Sequence, residues 1–207
     1  MLSQGQVGPI ASTSDGVQVA LRAGRLGEQV FSELNGQYFE QTFRGMGFWG
    51  ANPTPVTTIA FVSGTTTTGL IGLCLTNPVS SGKLLSLHQY GCSWSTIDTI
   101  VNDVVLAVGF HASTAVTQTT PLTPRNALIN GAAGVGLVAS TVTVPTAPNI
   151  VMALGSMPSA TTLPGSVTGD LKGSVVLPPG GYALILTSAI SPGLRASLNW
   201  QEMPYIA

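Results

Sequence analysis

The sequence predicts an all-β protein, a jelly roll or β-sandwich of about 8–10 short antiparallel strands preceded by an N-terminal arm with one short helix. After Gly36, short runs rich in apolar and β-branched residues recur along the chain. Clusters of Gly, Pro, Asn and Ser separate many of these runs, as expected for turns between strands. Only one segment has the apolar spacing of an amphipathic helix.

Residues 1–35 are predicted to form the arm and the helix. Residues 1–16 are polar and contain Gly and Pro, which is typical of a mobile terminus. In the segment that follows, Leu26, Val30 and Leu34 are spaced i, i+4, i+8 and predict one apolar helical face. Asn35-Gly36 supplies a helix stop.

Residues 36–207 are predicted to form the β-sandwich domain. Several of the apolar runs alternate with period two, the pattern of a strand with one buried face. No 20–50-residue period is present, which disfavours a solenoid or a propeller. The predicted strand regions are 38–48, 55–62, 68–75, 83–94, 99–110, 113–119, 136–144, 149–154, 173–177, 182–188 and 194–202.

Charged residues are few and unevenly placed. The 207-residue chain has 7 Lys or Arg and 8 Asp or Glu, whereas about 25% of the residues in an ordinary soluble domain are charged. Seven of the fifteen lie in residues 1–44 and eight in the remaining 163. A net charge of −1 with scattered cations disfavours a nucleic-acid-binding protein. The nearly uncharged body is expected either to be covered in an assembly or to expose a Ser- and Thr-rich surface.

Two short glycine motifs superficially match nucleotide-binding patterns. Residues 134–139 fit the dinucleotide fingerprint, but a strand-forming stretch ending in proline follows instead of the helix that binds pyrophosphate. Residues 77–83 resemble a phosphate loop, yet Asn77 replaces the first glycine and Leu84 replaces the Ser or Thr that would hold magnesium. We interpret both as glycines of strands and turns, and the sequence predicts no cofactor.

Neither a metal site nor a catalytic site is predicted. His88, His111 and the two cysteines, Cys74 and Cys92, have no ligand spacing, and the cysteines are expected to be buried thiols. Asp98 and Asp103 are expected to cap turns, and no G-x-S-x-G elbow is present. The sequence therefore predicts a protein that is not an enzyme, although a small jelly-roll enzyme using a histidine stays open.

Three tryptophans are candidates for a ligand platform. Trp49, Trp94 and Trp200 lie on three separate predicted strands or strand ends. An exposed Trp49 or Trp94 could stack against a sugar ring, whereas a buried indole would fill the sandwich core. The alternative function is therefore a glycan- or receptor-binding β-sandwich module.

The order of three segments resembles a known group of proteins. An Arg-x-Gly-Arg-x-Gly-Glu entry opens the first segment (21–48), an Asn-Pro-x-Ser-Ser-Gly-Lys turn lies in the second (69–91), and the last (175–204) contains Pro-Gly-Gly-Tyr and Trp-x-Glu. In this order the chain resembles capsid cement or decoration proteins of tailed bacteriophages, which have a jelly-roll fold. The resemblance implies a homotrimer that clamps neighbouring major capsid subunits, with virion localisation after assembly in the host cytoplasm. It also implies that the glycan- or receptor-binding alternative would be a module of a virion, as in a tail fibre or spike.

The arm supplies the predicted contacts with the major capsid protein. Its apolar helix face offers anchors, and its arginines can pair with acidic groups on a partner or with nearby glutamates of this chain. No nucleic-acid partner is expected, because the cations are scattered. No membrane partner is expected either, because no apolar run approaches the ~18 residues of a membrane span. The predicted partner-binding residues are Arg22, Arg25, Val30, Phe31, Leu34 and Arg44.

Overall fold

The computed structural model describes residues 38–95, 100–157, 165–191 and 193–205, and in these it is almost entirely β. One short helix, α1 (Phe39–Phe43), precedes the strands. This confirms the predicted all-β class. The strands are β1 (Gly47–Ala51), β2 (Leu70–Thr76), β3 (Lys83–Trp94), β4 (Asn102–Phe110), β5 (Thr117–Leu122), β6 (Arg125–Asn126), β7 (Leu137–Thr143), β8 (Asn149–Met157), β9 (Ser166–Leu177), β10 (Gly181–Thr187) and β11 (Leu194–Pro204).

The strands form two antiparallel sheets with jelly-roll topology. One sheet has the order β6-β1-β11-β3-β9 and the other β5-β7-β2-β10-β4-β8. The antiparallel pairs β4·β8, β3·β9, β2·β10 and β1·β11 are nested, as in one long hairpin folded over on itself. This nesting, with successive pairs alternating between the sheets, is the double Greek key of a jelly roll. Strands β5–β7 are an insertion between the two strands at the tip of that hairpin.

Apolar residues fill the space between the two sheets. The cluster includes Leu85, Leu106, Ile185 and Trp200, each with no measurable exposure. The ring of Trp200 stacks on Phe48, with 6.1 Å between ring centroids. Every residue of β10 is buried, which marks the six-stranded sheet as covered on both faces.

A second apolar cluster covers the opposite face of the six-stranded sheet. It contains Cys74, Val105 and Leu184, which alternate along their strands with residues of the first cluster. Residues 53–68, here called the covering segment, run from β11 of the five-stranded sheet, where Val56 packs against the first cluster, to this face, where they contribute Phe61. The segment is held by backbone hydrogen bonds, among them Val56 N to Leu194 O (2.9 Å), Phe61 N to Thr187 O (3.1 Å) and Gly64 N to Pro148 O (2.9 Å).

Both cysteines are free and buried, one in each apolar cluster. Burial raises the pKa of Cys74 to about 12, against a smaller lowering by a hydrogen bond to Thr76. Burial likewise raises the pKa of Cys92 to about 12. The expectation of two inert thiols is confirmed, because a thiol with so high a pKa stays protonated near neutral pH.

Three of the expected strand regions are wrong in part. Region 113–119 is strand only from Thr117, where β5 begins. Region 38–48 begins with α1, which ends at Gly45 in a Schellman motif, with Met46 N bonded to Gln41 O and a φ of 68° at Gly45. Five residues are too few for a helical apolar spacing to show in the sequence. Region 55–62 is not a continuous strand: it makes only isolated bridges at Val56 and Ala60, in a segment whose prolines interrupt pairing.

The close approach of β2 and β10 depends on Gly72. A Cβ atom at this position would lie 2.1 Å from the backbone oxygen of Ile185, and backbone cannot rotate away. We expect Gly72→Ala to lower the free energy of unfolding by about 1–3 kcal/mol, the range for overpacking. The change is measured by urea denaturation.

Gly165→Ala is the matched control for this prediction. Its added Cβ would meet only the Trp94 ring at 3.6 Å, an ordinary contact, so its free energy of unfolding should change by less than about 0.5 kcal/mol. Equal stability of the two variants would contradict the close approach.

Candidate ligand-binding groove

The outer face of the five-stranded sheet carries an exposed tryptophan. In β1, Phe48 belongs to the core and a Cβ on Gly50 would meet core side chains, so Trp49 between them points outwards. Its side chain is 42% exposed. On its two sides Trp49 pairs with Asn199 of β11 and Arg125 of β6.

Beside Trp49 lies a shallow depression of about 420 Å³. Its floor is low because Gly91, Ser197 and Thr168 are small, and a Cβ on Gly91 would lie 2.8 Å from the Ser197 hydroxyl. A ligand can therefore approach the sheet backbone closely here. The lining residues are Trp49, Gln89, Tyr90, Gly91, Thr168, Gly169, Asp170 and Ser197.

An exposed acid lies at the edge of this depression. Asp170 Oδ1 accepts a hydrogen bond of 2.8 Å from Gln89 Nε2 of the neighbouring strand, which fixes the orientation of the carboxylate. Directly after Asp170 the ladder of β9 is interrupted, and Lys172 and Gly173 adopt positive φ angles of 51° and 77°. Asp170 therefore stands at a bulge, a common place for a side chain aimed at a ligand.

A second depression of about 320 Å³ continues along the same face. It shares Gly91, Thr168 and Ser197 with the first, so the two form one groove across β11, β3 and β9. Arg195 lines its far part, together with Asn52, which is only 6% exposed. Asn52 Nδ2 donates to Gly72 O at 3.1 Å, while its Oδ1 accepts no hydrogen bond from the described part of the chain.

Of the three tryptophans, only Trp49 is placed to meet a ligand. Trp94 is 3% exposed and belongs to the core between the sheets, so the prediction that it could be a stacking platform is wrong. Trp200 has no measurable exposure. Side chains alternate along β1, and Phe48 and Gly50 on either side of Trp49 face the core. Trp49 therefore faces outwards, whereas the other two tryptophans are in the core.

The glycines of the 134–139 motif hold a carboxylate of the chain itself. Glu202 is 5% exposed and accepts hydrogen bonds from Val135 N (2.9 and 3.0 Å) and Gly136 N (2.9 Å). A Cβ on Gly134 would lie 2.4 Å from Glu202 Oε1. Consecutive amides around an anion form a nest, and here the anion is the Glu202 side chain of β11. Sequence reasoning missed this residue, because its partners are remote in the chain.

Of the remaining candidate residues, the structure describes Arg44 alone. Arg22, Arg25, Val30, Phe31 and Leu34, with the predicted arm and helix, lie outside the described residues. Arg44 is exposed and pairs with Glu40 at 2.6 Å within the chain.

Neither histidine is part of a convergent cluster. His88 is the additional residue that forms the bulge in β3, where its register with β11 shifts. Burial lowers the pKa of His88, against a hydrogen bond with Gln201 that raises it. His111 Nδ1 accepts from Thr114 N at 2.9 Å in a turn. Within the described ranges no three His, Cys, Asp or Glu side chains are grouped as metal ligands would be.

Comparisons of the chain with family models, curated proteins and solved structures give no match. The likeness of its segments to decoration proteins therefore stays a prediction. Among the described residues there is no helix with the length and apolar character needed to cross a membrane.

The Glu202 nest yields a prediction about stability. In Glu202→Gln the remaining oxygen can still accept from Val135 N and Gly136 N at the Oε1 position, but the charge that strengthens these hydrogen bonds is lost and the NH2 group in place of Oε2 faces the Val135 amide. We expect a loss of about 1–3 kcal/mol in the free energy of unfolding, measured by thermal or urea denaturation. Glu40→Gln, at an exposed ion pair, is the control and should cost at most about 0.5 kcal/mol. Equal effects would argue against the nest.

Proposed function

We propose that the chain is a non-enzymatic virion structural protein, a capsid cement or decoration protein that oligomerises and clamps neighbouring major capsid subunits. The observation that carries the proposal is a jelly-roll body with very little surface charge. Of the eight charged residues after Arg44, Glu202 is buried. Broad uncharged faces dock without desolvating many ions. The resemblance of three sequence segments to decoration proteins, a prediction from the sequence, gives the direction of the proposal.

One sheet edge is suited to contact between copies of the chain. Three of the four edge strands carry features that discourage pairing: β5 contains Pro121, β6 has two residues, and β9 has Asp170, Lys172 and a bulge. The fourth, β8, contains no charged residue and no proline. Apolar side chains are exposed along its first half, with Ile150 42%, Val151 51% and Met152 38% exposed, and its exposed polar residues, Asn149 and Ser156, lie towards its two ends.

The partner assigned to this edge is a second copy of the chain. In the described part of the chain, the start of β8 is covered by Ser63, whose Oγ accepts a hydrogen bond from Ile150 N at 3.1 Å, and Leu154 O further along accepts one from Tyr90 Oη at 3.4 Å. Two copies that meet at an uncharged strand have no like charges to bring together there. Such a contact adds main-chain hydrogen bonds to apolar burial. The proposed trimer would use β8 of each copy against its neighbour.

Val151→Lys tests this edge. A lysine in the middle of β8 discourages strand pairing, as edge lysines do in natural sheets, and we expect native mass spectrometry to show monomer in place of an oligomer at micromolar concentration. Ile129→Lys is the matched control, because Ile129 is 90% exposed in a loop away from β8. A monomeric parent chain, or dissociation by the control alone, would contradict the proposal.

Shell attachment is expected to need the arm. Deleting residues 1–35 should abolish cosedimentation with shells of the major capsid protein, because the predicted anchors Val30, Phe31 and Leu34 are lost. Far-UV circular dichroism of the shortened chain should keep its β spectrum, which shows that the body is still folded. Copurification of the full chain with shells at a fixed copy ratio is the positive control. Attachment that survives the deletion would refute the role of the arm.

A further inference from the structure

We propose that the groove between Trp49 and Arg195 binds a short neutral oligosaccharide, with a sugar ring stacked on Trp49 and its hydroxyl groups bonded to Asp170 and Gln89. This inference is independent of the capsid-clamping role. It develops the glycan-binding alternative into one site with named contacts. The site lies on the outer face of the five-stranded sheet, whereas β8 belongs to the other sheet.

Trp49 supplies the apolar half of the site. Its indole is 42% exposed and borders the depression of about 420 Å³. The face of an indole is a broad apolar surface with little conformational freedom to lose on binding. A pyranose ring has one face of C–H groups that suits such a surface, with hydroxyl groups around its rim.

The polar half points to a hydroxyl-rich ligand. Asp170 and Gln89 are held together at 2.8 Å, and each has an oxygen left to accept a hydrogen bond from a ligand hydroxyl. A purely apolar ligand would remove Asp170 from water without replacing its hydrogen bonds, which is costly. A polyanion is disfavoured because Asp170 lines the Trp49 end and Arg195 is the only cation among the groove-lining residues.

The length of the groove indicates a chain of sugars. From Gln89 to Ser93 the floor follows five residues of β3, and the four steps between them span about 13 Å at the usual rise per residue. Small side chains, including Ser166, continue along it, and among the described residues no bulky side chain separates the two depressions. The groove is therefore long enough for more than one sugar ring.

The test is a titration of the full chain by NMR and calorimetry with cellohexaose, maltohexaose and chitohexaose, and with a polygalacturonate oligomer as the anionic probe. We expect at least one neutral probe to bind and to shift the Trp49 indole N–H resonance. Trp49→Ala should weaken that binding about tenfold, the loss of roughly one stacking contact. Asp170→Asn should weaken it severalfold while keeping the shape of the side chain.

Matched controls separate loss of the site from loss of the fold. Phe110→Ala removes another exposed aromatic, 52% exposed on the six-stranded sheet, and Asp103→Asn removes an acid of that sheet. Both should leave binding unchanged, and all variants should keep the parent's urea midpoint.

Three outcomes would overturn the proposal. The first is no binding of any neutral probe at millimolar concentration. The second is binding that survives Trp49→Ala. The third is preference for polygalacturonate that depends on Arg195 rather than Asp170. None of these outcomes bears on shell attachment, so the two proposals fail separately.

Discussion

The architecture depends on the burial of the six-stranded sheet on both faces. In β10, Ala183 and Ile185 face the other sheet, while Leu184 and Leu186 face the opposite way, and all four are buried. A strand apolar on both sides is stable only if each side is covered. The five-stranded sheet covers one side, and the covering segment, with the residues after β7, covers the other. The long connection between β1 and β2 therefore shields an apolar face of this sheet from water.

That arrangement leaves one face of the five-stranded sheet exposed to solvent. Its strand β9 alternates between exposed and partly buried residues, in contrast to the continuous burial of β10. Solvent on this face explains why small and polar residues, such as Gly91 and Ser197, are tolerated in central strands. The same residues lower the floor beside Trp49, so the groove follows from the unequal burial of the two sheets. The few charged residues of the body mostly follow this division, because Asp170, Lys172 and Arg195 all lie on strands of the five-stranded sheet.

Much of the fold, but little of the groove, follows from sequence patterns. The strands around β3, β4, β10 and β11 could be predicted, because each is a long apolar run between turn signals. Helix α1 could not, since five residues carry no periodicity and its end is set by the conformation of Gly45. Trp49 and Trp94 look alike in sequence, yet strand alternation places one outside and the other in the core. The Glu202 nest joins residues 66 and 67 positions apart, and nothing local signals such a pairing.

The nest also relates the fold to the proposed surfaces. Glu202 lies on β11, a central strand of the five-stranded sheet, and its amide partners lie just before β7 of the other sheet. Its carboxylate therefore ties the two sheets together at one end of the sandwich.

Further along β11, Ser197 and Arg195 line the groove. The face proposed to bind saccharide is thus built on a strand fixed from both sides, by β1 and β3, and at its end by a buried charge. A site on so constrained a strand is rigid before a ligand arrives, and rigidity reduces the entropy that binding must overcome. The uncharged edge β8 belongs to the opposite sheet, so contact between copies there leaves the groove open to solvent.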